Sequence, residues 1–88
     1  MATFLHIAQK ETSLDLNNYR KSYTVAQLEA IAEADGLTLD MSQLDTVLRR
    51  ITLTGKTFKV SFERRSSGKC LVRDVSCIVK YTELKEIN

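Results

Sequence analysis

The sequence predicts an α+β fold, an N-terminal helical hairpin packed on a C-terminal antiparallel β-sheet that is either a hairpin or a small barrel. Three observations predict it. Apolar residues recur at helical spacing from Val25 to Ile51. From Thr57 the period drops to two, the signature of a strand with one buried face. The Arg65-Ser66-Ser67-Gly68 run then divides two such stretches as a turn. At 88 residues the chain is expected to be one domain, mainly helical over 1–52, antiparallel strand over 53–82, with a tail at 83–88.

The first element is the least defined. Thr3 can cap a short helix carrying Phe4, Leu5, Ile7 and Ala8, and the same residues can form a strand. Residues 11–22 read as polar and irregular, anchored by Leu14, Leu16 and Tyr19. Thr24 and Gln27 then make a capping box, with Tyr23 and Leu28 spaced as a hydrophobic staple. Val25, Leu28, Ile31 and Ala32 form the apolar stripe, and Gly36 suits the left-handed position that ends a helix. A helix over 25–35 follows.

A second signature of the same kind comes next. Asp40 with Gln43 resembles a capping box and Leu39 with Leu44 a staple. Met41, Leu44, Val47, Leu48 and Ile51 keep helical spacing, and Arg49 and Arg50 would sit at the negative end of the helix dipole. These predict a helix over 41–51. Phe58, Val60 and Phe62 then alternate with polar residues as a strand. From Cys70 to Tyr81 the chain reads as strand again, with Leu71, Val75, Cys77, Val79 and Tyr81 on one face. Arg73-Asp74 interrupts the apolar pattern, which points to a bulge or bend.

Chemistry-bearing motifs are sparse. The one histidine, His6, has no nucleophile motif to serve, and Thr54-Gly55-Lys56-Thr57 lacks the upstream glycine and following helix of a phosphate loop. Cys70 and Cys77 lie seven apart, unlike a zinc spacing, and on opposite faces of a straight strand, so buried reduced thiols are expected. No enzyme activity, metal or cofactor is expected. No apolar run approaches the roughly 20 residues of a membrane span, and the start lacks a basic n-region and a long apolar core. A cytoplasmic protein with no membrane partner is therefore expected.

Charge carries the functional expectation. Net charge is +2. Residues 1–48 hold three basic against seven acidic side chains, a balance of −4, whereas residues 49–88 hold ten against four, a balance of +6. Arg49, Arg50, Lys56, Lys59, Arg64, Arg65, Lys69 and Arg73 supply most of the excess. Such cations on one surface would neutralise phosphates, and arginine adds bidentate contacts to phosphate or guanine. Gln43, Thr46 and Arg50 would share one side of the second helix and are suited to base edges. The leading expectation is thus a small nucleic-acid-binding accessory or regulatory protein acting on duplex DNA. A solvated basic face and a patch for an acidic protein surface are the rivals, the latter as an interaction module such as an inhibitor of a host protein complex. An unpaired strand edge would also allow a homodimer.

Two resemblances accompany this. Ala32, Gly36 and Leu37, followed by the second apolar stripe and a basic-turned hairpin, resemble a winged helix-turn-helix DNA-binding domain. The resemblance implies a recognition helix at 41–51 and Arg65 and Lys69 in the wing. Phe58-Lys59-Val60-Ser61-Phe62 and Val72-Arg73-Asp74-Val75-Ser76-Cys77 around the basic turn are similar to small SH3-like barrel proteins of phage genomes. That likeness implies a phage or mobile-element origin and no reaction.

Overall fold

The computed structural model describes residues 4–79. In chain order it contains α1 (Phe4–Gln9), β1 (Ser22–Tyr23), α2 (Val25–Asp35), β2 (Thr38–Asp40), β3 (Arg50–Thr54), β4 (Phe58–Arg64) and β5 (Cys70–Cys77). The strands form one curled antiparallel sheet, a half-barrel, in the order β1-β5-β4-β3-β2. The mixed helix and strand content agrees with the α+β expectation. The helical hairpin is not observed, because only one helix of any length is present among the described residues.

The clearest sequence patterns become structure with little change. α2 spans Val25–Asp35; Thr24 accepts from the Gln27 amide and the Gln27 side chain accepts from the Thr24 amide. Gly36, at φ 69°, ends the helix and returns its amide to Ala32 O. Leu28 and Ala32 bury its apolar stripe. On β4, Phe58, Val60 and Phe62 are fully buried while Lys59 is exposed. Each such aromatic or aliphatic side chain contributes about 1.5–3 kcal/mol on burial.

The β4–β5 ladder slips between Ser61 and Phe62: Ser61 faces Asp74 and Phe62 faces Val72, which leaves Arg73 as the extra residue. This is the bulge expected at Arg73-Asp74. It reverses the phase of β5, so Cys70 and Val72 point inward before it and Val75 and Cys77 lie on the Val60 and Phe58 side after it. The single parity assigned to Leu71, Val75 and Cys77 is therefore corrected. Both cysteines are free, but only Cys70 is buried; Cys77 is exposed. The expected strand end at Tyr81, the tail at 83–88 and the Thr3 cap lie outside the described residues.

The helix expected over 41–51 is not formed. β2 occupies residues 38–40, residues 41–49 are a loop of turns, and Arg50 and Ile51 open β3. Asp40 explains part of this. Its carboxylate accepts from the Ser42 amide at 2.9 Å and the Ser42 hydroxyl at 2.7 Å, which closes a local turn instead of capping a helix. Pairing decides the rest: Ile51 faces Phe62 and Leu53 faces Val60, and all four are fully buried.

The first third lies against the sheet. Leu14 and Leu16 are buried as expected, whereas Tyr19 is exposed. Gln9 holds this stretch, donating to the carbonyls of Thr12 and Leu14 and accepting from the Leu16 amide at 2.9 Å. Tyr23 reaches the core from β1, meets Phe62 edge-on at 5.6 Å, and accepts from the Asp15 amide.

Candidate functional site

The sheet has two ends with different chemistry. At the β4–β5 turn, Arg65 N–H donates to Lys69 O and Gly68 N–H to Arg65 O, closing a tight hairpin with Gly68 at φ 89°. Directly across, the Arg64 amide donates to Arg49 O at 2.8 Å, carrying the β3–β4 ladder one residue beyond β3. Arg49 takes φ 49°, the only described residue other than glycine at positive φ. These features bring Arg49, Arg64 and Arg65 around an open depression of about 470 Å³, completed by Val25, Ser66 and Gly68. Val25 is the first residue of α2, so the positive end of that helix dipole lies at the same place.

The arginines are not equally free. Arg64 pairs with Asp45 at 3.6 Å, and Asp45 is 93% exposed. An exposed pair of this kind contributes about 0–1 kcal/mol. Arg64 also faces Cys70 across the ladder. Burial raises the Cys70 thiol pKa and the Arg64 charge opposes that rise only in part. Lys69 sits exposed in the turn. Arg50 is half-buried on β3, and its Nε is buried without an acceptor among the described residues.

The remaining expected residues lie elsewhere. Lys59 is on the exposed outer face of β4, opposite Ser76 and Thr54. Arg73, at the bulge, bonds Glu63 at 3.4 Å. Lys56 is in the β3–β4 turn, about 20 Å from Arg64 for a strand of this length. Its amide donates to Glu11 at 2.7 Å, and it lines a second depression of about 230 Å³ with Glu11, Asp35, Gly36, Leu37 and Gly55. Gln43 and Thr46 belong to the 41–49 loop rather than to a helix face. Thr46 turns its hydroxyl to Gln43 O at 2.8 Å.

No protein-family model matches the chain, and neither a curated protein nor a solved structure matches it. Among the described residues, no group of three or more His, Cys, Asp or Glu is placed to hold a metal ion, and no helix is long and apolar enough to cross a membrane.

The helical spacing of the sequence does not reveal the exposed residues at this end of the molecule. Val25 packs partly buried against the core as its place in the helix stripe predicts, and it also lines the depression. Met41, Val47 and Leu48 were assigned to a buried helix stripe, yet all three are exposed. The signal for the loop lay in Ile51-Thr52-Leu53-Thr54, which alternates apolar and β-branched polar residues as a strand does.

Proposed function

We propose that this chain is a small non-enzymatic nucleic-acid-binding accessory or regulatory protein that holds the phosphates of duplex DNA at the β4–β5 end of its sheet. The convergence of Arg49, Arg64 and Arg65 on one open depression supports this reading. Phosphate binding needs several cations on one surface, and arginine forks match phosphate oxygens two at a time. Lys69 extends the same turn. Lys56, Lys59 and Arg73 are left out of the contact set, since they sit at the other end, on the outer face, or against Glu63.

The test is the salt dependence of binding to duplex DNA. With about four phosphate contacts, the log–log slope is about −3.6 and affinity falls roughly 100-fold between about 50 and about 200 mM salt. Changing Arg49→Gln and Arg65→Gln together flattens the slope by about 1.8. The pair Lys56→Gln and Arg73→Gln leaves it unchanged. Salt-insensitive binding overturns the proposal. So does a stoichiometric protein partner that survives nuclease while no DNA binds, which would favour an interaction module for an acidic protein surface.

A further inference from the structure

The 41–49 loop carries three of the five large apolar side chains that are exposed among the described residues: Val47 at 94%, Leu48 at 42% and Met41 at 37% exposure. An apolar tip on a mobile loop would be unremarkable, but this loop is tied down. Leu44 anchors it in the core. The Arg50 amide donates to Gln43 O at 3.1 Å, the Arg49 amide to Thr46 O at 3.2 Å, and the Leu48 amide to Thr46 Oγ1 at 3.1 Å. Hydrogen bonds thus hold Val47 and Leu48 outward in a fixed shape. Arg49 follows them directly, and Asp45 of the same loop reaches Arg64, so the tip stands beside the arginine depression.

We infer that Val47 and Leu48 form an apolar wedge that enters a base step of duplex DNA while Arg49, Arg64 and Arg65 hold the flanking phosphates. The inference rests on the nucleic-acid reading above and adds how the duplex is engaged. Apolar wedges used together with arginine contacts are the chemistry of proteins that unstack a step and kink the duplex by roughly 20–90°. Charge complementarity favours this occupant: Arg49 adjoins the tip and Arg49, Arg64 and Arg65 line the depression beside it, against one carboxylate, Asp45, whose exposed pair with Arg64 a phosphate would displace. A pre-shaped tip also loses little entropy on insertion.

The experiment uses the full chain and a duplex with 2-aminopurine at a pyrimidine–purine step, the kind most easily unstacked. Wild-type protein raises the 2-aminopurine emission and bends the duplex as read by end-to-end energy transfer. The variant Val47→Ser/Leu48→Ser binds more weakly, keeps the wild-type salt slope and produces neither signal. Val47→Leu, which keeps the tip apolar, retains both signals, whereas Val47→Ser alone weakens them. Steep salt-dependent binding by wild type without emission or bending overturns the wedge and leaves the phosphate reading standing. No binding by wild type at low salt overturns both. Wild-type co-sedimentation with phosphatidylserine vesicles that the serine variant loses, with no unstacking of DNA, assigns the tip to a lipid surface and also overturns the wedge.

Discussion

At one end of the sheet Lys56 lies beside Glu11 and Asp35; at the other, Arg49, Arg64 and Arg65 surround a depression whose paired carboxylate, Asp45, is almost wholly exposed. Both ends carry a cation that the sequence marks as a candidate contact, but their chemistry differs. Glu11 accepts from the Lys56 amide and from the Thr57 hydroxyl, and Thr57 is buried. Asp35 accepts from the Thr12 hydroxyl at 2.8 Å and the Ser13 amide at 2.9 Å. The carboxylates of the Lys56 end are committed to joining the first third of the chain to the sheet. At the arginine end the cations outnumber the acid that faces them. A run of positive charge is a candidate site only where the fold leaves it uncancelled.

If this contrast is right, substitutions at the Lys56 end act on stability and leave DNA binding alone. The largest effect is expected at Gly55. A Cβ there would stand 2.5 Å from the Phe58 ring and 3.0 Å from Glu11 Oε1. Phe58 is fully buried and cannot retreat without opening the core. Gly55→Ala should therefore cost about 1–3 kcal/mol. At roughly 4–8 °C per kcal/mol, a thermal melt resolves this easily. An unchanged melting temperature would show that Phe58 and Glu11 leave room for a Cβ at Gly55.

A smaller loss, about 1 kcal/mol, is expected for Thr24→Ala, which removes the cap of α2. This change sharpens the comparison because α2 begins at the arginine depression and ends at Gly36, beside Lys56. Urea titration should show a lower midpoint with an unchanged slope. A lost cap that also weakened DNA binding more than stability would tie the helix start itself to the site.

Asp35 gives the Lys56 end a pH signature. The Ser13 amide, then the Thr12 hydroxyl, hold its pKa below the ordinary 3.8. A carboxyl depressed in the folded state stabilises the fold fully above its unfolded pKa, about 3.9, and that contribution is lost as pH falls through the lower folded value. Wild-type melting temperature should drop over that acid range more steeply than that of Asp35→Asn. Parallel pH profiles for the two would show that the carboxylate does not clamp Thr12 and Ser13.

The same two ends show how much was legible in the sequence. Helix 25–35, the alternation of Phe58, Val60 and Phe62, the turn at Gly68 and the bulge near Arg73 all rest on local chemistry, and local chemistry is what a sequence displays. The 38–54 region failed because its apolar residues fit two periods. Met41, Leu44, Val47, Leu48 and Ile51 match a helix, while Ile51 and Leu53 match a strand. Only the register against Phe62 and Val60 selects between them, and that register is a long-range fact. The cation set was legible as composition. Its division between Arg49, Arg64 and Arg65 on one side and Lys56 on the other was not, because it depends on which ends of β3 and β4 meet.

The smallest effect tests the arginine end most directly. Asp45 and Arg64 form an ion pair at 3.6 Å with Asp45 93% exposed, so breaking it should leave the melting temperature nearly unchanged. A phosphate that reaches Arg64 must displace that carboxylate. Asp45→Asn removes the competitor, and the net charge of the chain rises by one from +2. DNA should then bind more tightly, by at most about fivefold, since the pair contributes no more than about 1 kcal/mol. Raising salt should shrink the gain, because both the competing pair and the phosphate contact are screened. Weaker binding by Asp45→Asn would show instead that the carboxylate positions Arg64 for its ligand, and the arginine end would then resemble the Lys56 end, with its acid built into the structure.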